Sequence, residues 1–250
     1  MQTSNSSIVE PREALLDHTR ILYDAALVSR PQILSFEPRE LIERRALVGE
    51  TGGRGRTYFI RIEGNDWVLR HYRRGGAIAP LLKDRYLWMG LERSRAWLEW
   101  HLLRELWLQG LPVPRPVAAR VSRTALIYTA DLITQRLVGA HSLADKLKEN
   151  ALTQEQWQAI GSCIRSFHEV GVDHGDLNAH NILLAQQDYV YLVDFDKSTV
   201  HRFTPSTEHH NLARLRRSLH KLQSLSVDFH FSDSAWQALC VGYDAGPHTR

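Results

Sequence analysis

His174-Gly175-Asp176-Leu177-Asn178-Ala179-His180-Asn181-Ile182-Leu183-Leu184, followed by Tyr189-Val190-Tyr191-Leu192-Val193-Asp194-Phe195-Asp196, is the stretch on which the reading of this chain turns. Asp176 precedes Asn181 by five positions, and Asp194 follows Asn181 by thirteen, across an apolar run. Moving a phosphoryl group from a nucleotide to an alcohol calls for such a set. One carboxylate orients the attacking hydroxyl and accepts its proton, while a carboxamide oxygen and a second carboxylate hold magnesium on the triphosphate. A polar turn ahead of a hydrophobic strand would account for any one of these residues. Three residue types at two spacings together favour the phosphoryl-transfer set.

The pattern follows the catalytic loop and metal-binding strand of the kinase signature, with His-Gly-Asp in place of His-Arg-Asp. That assigns Asp176 as the base, Asn181 and Asp194 as magnesium ligands, and Asp196 as a further group at the metal. Thr153 to Val170 carries Trp157, Ile160, Ile164, Phe167 and His168 at helical spacing, capped by Thr153 and stopped by Gly171, so a helix leads directly into this loop. His168 is read as a packing residue.

Upstream, Leu47 to Ile62 reads as strand, glycine turn, strand. Gly52, Gly53 and Gly55 sit where backbone amides would approach phosphate oxygens unhindered by side chains; a plain glycine hairpin is the other reading. Asp66 to Tyr72 follows as a third strand. The kinase plan has a phosphate-pairing lysine there, and the matching residue is Arg70, which keeps the charge and adds a bidentate fork. A solvent-facing arginine on an edge strand fits Arg70 equally. Ser94 to Gln109 is a helix whose Glu99, or alternatively Glu105, would brace that cation. Val117 to Ile133 reads as two strands with a turn near Ser122-Arg123, and Gln135 to Gly139 as a hinge whose backbone, at Gln135 and Leu137, would meet an adenine edge. Between these lies Arg73 to Gly90, where Arg73, Arg74, Lys83 and Arg85 flank apolar and aromatic residues. It suits an anionic, partly greasy acceptor or a lipid interface, against a core-packing loop with solvated charges.

The fold class that follows is α+β and bilobal. It has a small antiparallel-sheet lobe with one main helix (residues 31–134), a hinge (135–141) and a mostly helical second lobe (142–250). Residues 1–30 precede these as an extension in which Ala14 to Val28 is expected to form a short helix and residues 1 to about 12 to be loosely attached. The 250 residues, 43% hydrophobic and 24% charged, suit one large domain or two small lobes. A formal charge of +3 and a pI of about 8.9 select no particular anion. Cys163 and Cys240 are far apart, which speaks against a disulfide scaffold or a cysteine zinc site, and adjacent His209 and His210 are poorly placed for one metal. The N-terminus lacks the apolar core of a signal peptide and no window reaches the length of a membrane span, so a cytosolic position is expected.

Several segments together carry a resemblance. Gly53-Arg54-Gly55-Arg56-Thr57-Tyr58-Phe59, Leu69-Arg70-His71-Tyr72-Arg73-Arg74-Gly75-Gly76, Lys83-Asp84-Arg85-Tyr86, Gly110-Leu111-Pro112-Val113-Pro114-Arg115-Pro116 and Asp176 to Leu184 are similar to the 3-deoxy-D-manno-octulosonic acid (Kdo) kinases. These belong to the aminoglycoside and lipopolysaccharide-core branch of the protein-kinase-like superfamily. The resemblance spans about Gly49 to Tyr243. It implies transfer of the ATP γ-phosphate, with Mg2+, to the 4-hydroxyl of Kdo on Kdo-lipid A during lipopolysaccharide inner-core biosynthesis. It also implies a peripheral place on the cytoplasmic face of the inner membrane, with Arg73, Arg74, Lys83 and Arg85 meeting the acceptor's anionic groups.

Three rivals remain at this level. One is another kinase of the same fold acting on heptose, an aminoglycoside or a protein. After Asp196 the chain has neither an Ala-Pro-Glu end nor the long activation segment of a protein kinase, which favours a small-molecule acceptor. A nucleotide-binding pseudokinase is the second; the intact Asp176, Asn181 and Asp194 argue against it. A nucleic-acid binder is the third, suggested by Arg214, Arg216, Arg217 and Lys221, which read instead as a solvated helix face. Neither nucleic acid nor an obligate protein partner is expected.

Overall fold

Alternating apolar side chains build most of the first half of the chain. In the computed structural model, residues 8–16, 19–51, 57–73, 84–201 and 205–246 are described, side chains of 205–208 excepted. They form two compact units, Met1–Gln109 with Pro114–Arg136, and Gly110–Val113 with Leu137–Arg250.

The first unit is an antiparallel sheet. Its strands are β1 (Pro11–Leu16), β2 (Thr19–Asp24), β3 (Leu47–Thr51), β4 (Thr57–Ile62), β5 (Asn65–His71), β6 (Tyr86–Leu87), β7 (Pro116–Thr124) and β8 (Ile127–Gln135). The order is β1-β2-β7-β8-β5-β4-β3, with β6 added on β8. Tyr58, Ile60 and Ile62 of β4 and Trp67 and Leu69 of β5 point into one core with Tyr23, Phe36 and Ile133, the period of two that a half-buried strand requires. A short helix, α1 (Pro38–Glu43), precedes β3. The main helix, α2 (Arg95–Leu108), buries Ala96, Trp97, Trp100, Leu103 and Leu106 at helical spacing, with Glu99 on the same buried stripe.

The N-terminal helix expected over Ala14 to Val28 is not there; the segment is the β1–β2 hairpin. Leu15, Ile21, Leu22 and Ala25 fit a helical period, but Thr19 to Tyr23 pair with strands on both sides, which buries Ile21 to Asp24 in succession. A distant partner decides the matter. The Asp24 carboxylate accepts hydrogen bonds from Glu10 N–H (2.9 Å) and Ala26 N–H (3.0 Å) and forms a buried ion pair with Arg115 (2.6 Å). Arg115 also donates to Ile8 C=O at 2.8 Å, so the residues just after position 7 are held rather than loose. The turn expected near Ser122-Arg123 lies later, at Ala125, whose φ is +52°.

The second unit is mostly helical. It comprises β9 (His141–Ser142), α3 (Leu143–Glu149), α4 (Gln154–Glu169), β10 (Val172–Asp173), β11 (Ile182–Leu184), β12 (Val190–Leu192), β13 (Thr199–Val200), α5 (Pro205–Leu225) and α6 (Asp233–Ala245). Thr153 and Gln156 exchange side-chain and backbone hydrogen bonds, a capping box that starts α4 as its sequence predicts. Helices α4 and α6 meet through glycine. A Cβ on Gly161 would lie 2.0 Å from Leu239 C=O, so only a bare Cα permits the approach. The unit's core gathers Trp157, Ile160, Ile164, Phe167, Leu215, Leu219 and Leu239. The architecture is α+β, a sheet unit with one long helix and a helical unit, as the sequence implies. No described helix is long and apolar enough to cross a membrane.

Candidate functional site

In the second unit, strand β10 delivers the chain into the His174–Asn181 loop and the β11–β12 hairpin returns it to Asp194. His174 is the pivot. Its buried ring packs against Phe195 at a tilt of 49°, with centroids 4.8 Å apart. Nε2–H donates to Val193 C=O at 3.1 Å, so Nδ1 is left to accept from Asp176 N–H at 3.3 Å. Burial pushes the imidazole pKa down against the opposing pull of the nearby Asp194 and Asp176 carboxylates, which keeps it in this neutral tautomer. Asn211 of α5 buttresses the loop from behind. Its side-chain oxygen accepts His174 N–H at 3.0 Å and its amide donates to Asp173 at 2.6 Å.

The loop then folds on its own main chain. Asn178 and Asn181 each donate a side-chain N–H to Asp176 C=O at 2.9 Å, and Val193 N–H donates to Asn181 C=O at 3.0 Å. These bonds link Asp176, Asn181 and the chain next to Asp194 as one local construction. Because the Asn181 amide nitrogen is committed to Asp176, its oxygen is the atom turned to other use. Asp194 holds a left-handed backbone, φ +66°, a conformation that costs a non-glycine residue energy and clusters at functional sites. Gly175 has no room for a side chain, since a Cβ there would stand 2.1 Å from Lys197 C=O, which explains glycine where the signature has arginine. The donor set of one carboxamide oxygen and one or two carboxylates suits magnesium, which takes few protein ligands and shares the rest with phosphates and water. Among the described residues no cluster of three His, Cys, Asp or Glu offers a competing site. Asp196 is half-buried two residues past Asp194.

Arg214, read from sequence as part of a solvated face, instead turns toward this loop from α5. Its Nη1 lies 3.7 Å from Asp176 Oδ1 and its Nη2 donates to His210 Nε2 at 3.2 Å. Arg216 instead pairs loosely with Asp233, and Arg217 and Lys221 are exposed. A basic helix carries no mark that distinguishes one arginine from the next, so only the packing of α5 identifies Arg214.

In the first unit, Arg70 lies on β5 between Thr57 of β4 and Leu132 of β8, an interior strand and not an edge. It is paired with Glu99 on α2, a carboxylate only 3% exposed, and Tyr72 Oη donates to the same oxygen. Arg70 also donates to Tyr72 Oη at 3.2 Å and lies 4.8 Å from the centre of its ring. Between Glu99 and Glu105 the choice is therefore Glu99; Glu105 pairs with neighbouring Arg104 at the surface. Sequence reading missed Tyr72, whose alternation with Arg70 along the strand was the available signal.

His71, between them, faces the other way. Its Nδ1 meets the buried Asp131 at 2.6 Å and its Nε2 meets Asp84 at 3.1 Å, while Arg120 holds the second Asp131 oxygen at 2.7 Å. The Asp131 hydrogen bond, outweighing burial, holds the His71 pKa above its ordinary value.

The remaining expected residues divide. Arg73 and Arg85 are exposed. Gly52, Gly53, Gly55, Arg74 and Lys83 lie outside the described residues. Gln135 N–H is taken by Arg115 C=O at 2.9 Å and Arg136 N–H by Asp66 C=O at 3.0 Å, so of the two backbone positions expected to meet adenine, Gln135 has already spent its donor. Leu137 follows as the start of the second unit's longer segment, its C=O accepting Ala140 N–H at 3.2 Å.

Comparison with known proteins bears on this arrangement. The sequence profile of the Lipopolysaccharide kinase (Kdo/WaaP) family matches residues 41–243. The chain is 39% identical over 227 residues to a protein of Vibrio vulnificus (strain YJ016) named 3-deoxy-D-manno-octulosonic acid kinase, covering 91% of this chain and 95% of the relative. Proteins of the same name from Photobacterium profundum (39% over 232 residues, 93% and 98% covered) and Xylella fastidiosa strain M23 (43% over 225 residues, 90% and 89% covered) are similarly related.

Proposed function

The chain belongs to the lipopolysaccharide kinase (Kdo/WaaP) family, and from that premise we propose that it transfers the γ-phosphoryl group of ATP to the 4-hydroxyl of a Kdo residue on Kdo-lipid A. The observation that carries the reading is the local construction of Asp176, Asn181 and Asp194. A base, a carboxamide oxygen and a carboxylate are tied together through Asp176 C=O and Val193 N–H.

In this reading Asp176 accepts a hydrogen bond from the acceptor hydroxyl. The oxygen forms its bond to γ-phosphorus as the bond to the β-phosphate oxygen breaks, ADP departs, and the hydroxyl proton passes late to Asp176. Asn181 and Asp194 would hold magnesium, with Asp196 in support, and the bound metal would neutralise phosphate charge. Arg70, kept in place by Glu99 and Tyr72, supplies fixed positive charge to the phosphates, and the backbone at Leu137 serves the adenine edge. The transition state is loose, so positioning and charge neutralisation provide most of the rate.

The acceptor is a lipid, which argues for work at the cytoplasmic face of the inner membrane. Support comes from the β6 segment. Leu87 and Met89 are each 62% exposed and Leu126, beside them through the Trp88 N–H to Leu126 C=O bond of 2.9 Å, is 71% exposed. Arg123 lies over the Trp88 ring at 4.9 Å, and Arg85 and Arg93 are exposed nearby. Apolar tips among arginines suit an anionic interface.

Mass spectrometry of Kdo-lipid A incubated with enzyme, ATP and magnesium tests the activity. The expected product carries one added phosphate on Kdo; unchanged acceptor beside phosphorylated heptose or aminoglycoside controls would overturn the assignment. Sedimentation with phosphatidylglycerol vesicles tests the membrane part, and binding no greater than to phosphatidylcholine would refute it.

A further inference from the structure

Arg214 is a charged group beside the Asp176 loop that the catalytic reading leaves without a task. Its guanidinium is a fork of five donors. Among the described residues only the Nη2 bond to His210 has ordinary hydrogen-bond length. Nη1 stands 3.7 Å from Asp176 Oδ1, near enough to feel its charge and too far for a hydrogen bond. Nε is buried and meets no acceptor among the described residues. The next arginine on the same helix, Arg216, has found Asp233 and lies 5.6 Å from the Trp236 ring centre.

We propose that Asp176 and Arg214 together form a hydroxy-acid subsite, in which the acceptor hydroxyl goes to Asp176 and a carboxylate of the same sugar goes to the guanidinium of Arg214. This rests on the reading above, in which Asp176 receives the acceptor's proton. A guanidinium matches a carboxylate through paired N–H groups, and Nη1, which makes no hydrogen bond among the described residues, is the donor that stands beside Asp176 on a side chain still 32% exposed. Side by side, one group that accepts from a hydroxyl and one that donates to an acid recognise a sugar acid through two of its own substituents. A neutral sugar would offer the guanidinium no carboxylate, so the pair also discriminates between acceptor classes. The nucleotide's phosphates are the other anion a guanidinium would take, and the test separates the two.

The experiment is steady-state kinetics with Kdo-lipid A and with its Kdo methyl ester, in detergent micelles, for wild type, Arg214→Gln and Arg214→Lys. Esterification is expected to raise the wild-type acceptor KM roughly tenfold or more, the scale of a lost charge-assisted pair. Arg214→Gln raises the acceptor KM by a similar factor and leaves the ATP KM within about twofold. Ester and Arg214→Gln combined are no worse than either alone, and Arg214→Lys recovers part of the loss. The ester measured on wild type needs no variant, so a folding defect does not mask the answer. An ester as good as the acid overturns the subsite, as does an Arg214→Gln variant in which the ATP KM rises and the acceptor KM does not. Wild type that forms no product from either acceptor overturns the acceptor reading itself and the subsite with it, an outcome distinct from normal turnover that ignores the carboxylate.

Discussion

The Arg70–Glu99–Tyr72 group of the first unit and the His174–Asp194 segment of the second are two assemblies made by opposite means. The first joins a strand and a helix through side chains, with a carboxylate buried at 3% exposure as its hub. The second is organised by the main chain: Asp176 C=O collects two asparagine amides, and Val193 exchanges with both Asn181 and His174. Removing a member should therefore do different things. A side-chain hub that loses a partner leaves a desolvated group stranded. A main-chain scaffold keeps its shape when a functional side chain is cut away.

The sharpest way to break this contrast is Asp176→Ala. It should lower phosphoryl transfer by about 10³-fold, the scale of a lost general base, with a near-normal melting temperature. Turnover within tenfold of wild type in a radiolabelled ATP assay would remove Asp176 from its role. Glu99→Ala should instead cost roughly 3 kcal/mol of stability and raise the ATP KM together, because it strands Arg70 and the Tyr72 hydroxyl. Glu105→Ala, at the exposed Arg104 pair, should stay within about 0.5 kcal/mol. Equal denaturation midpoints for the two variants would mean Glu99 is no hub.

Gly175→Ala sharpens the second half of the comparison. Forcing a methyl against Lys197 C=O should cost about 2 kcal/mol in urea unfolding and also displace Asp176. A fully active, fully stable variant would show that the loop yields easily.

The smallest effect is electrostatic. The Asp131 bond raises the folded pKa of His71, so its stabilisation is complete below the unfolded value of about 6.5 and is lost as pH rises through the higher folded value. Wild type should lose stability relative to His71→Gln across that rise, and parallel stability curves from pH 6 to 9 would exclude it (about the range in which an elevated imidazole titrates).

What was legible follows the same divide. The association of Asp176, Asn181 and Asp194 could be read because the bonds that join them lie within one short stretch of chain, although Asn211 supports the loop from α5. The helix α4 was legible for a like reason, since Thr153 and Gln156 cap it locally. The N-terminal hairpin was not. Its apolar spacing suits a helix, and what makes it a strand is Arg115, which reaches Asp24 from 91 positions away. The choice of Glu99 over Glu105 was likewise open until α2 was seen to turn Glu99 toward β5.

By itself, then, the sequence determined the α+β class and the close local association of Asp176, Asn181 and the chain at Asp194, because near neighbours constrain one another through backbone bonds of fixed length. The tertiary structure alone decided that Arg70 is an interior strand residue braced by Glu99 and Tyr72, that residues 11–24 form strands, and that Arg214 rather than Arg216 or Arg217 faces Asp176. Those outcomes depend on which surfaces of distant segments are buried together, and desolvation is a property of the packed molecule that no local pattern of residues encodes.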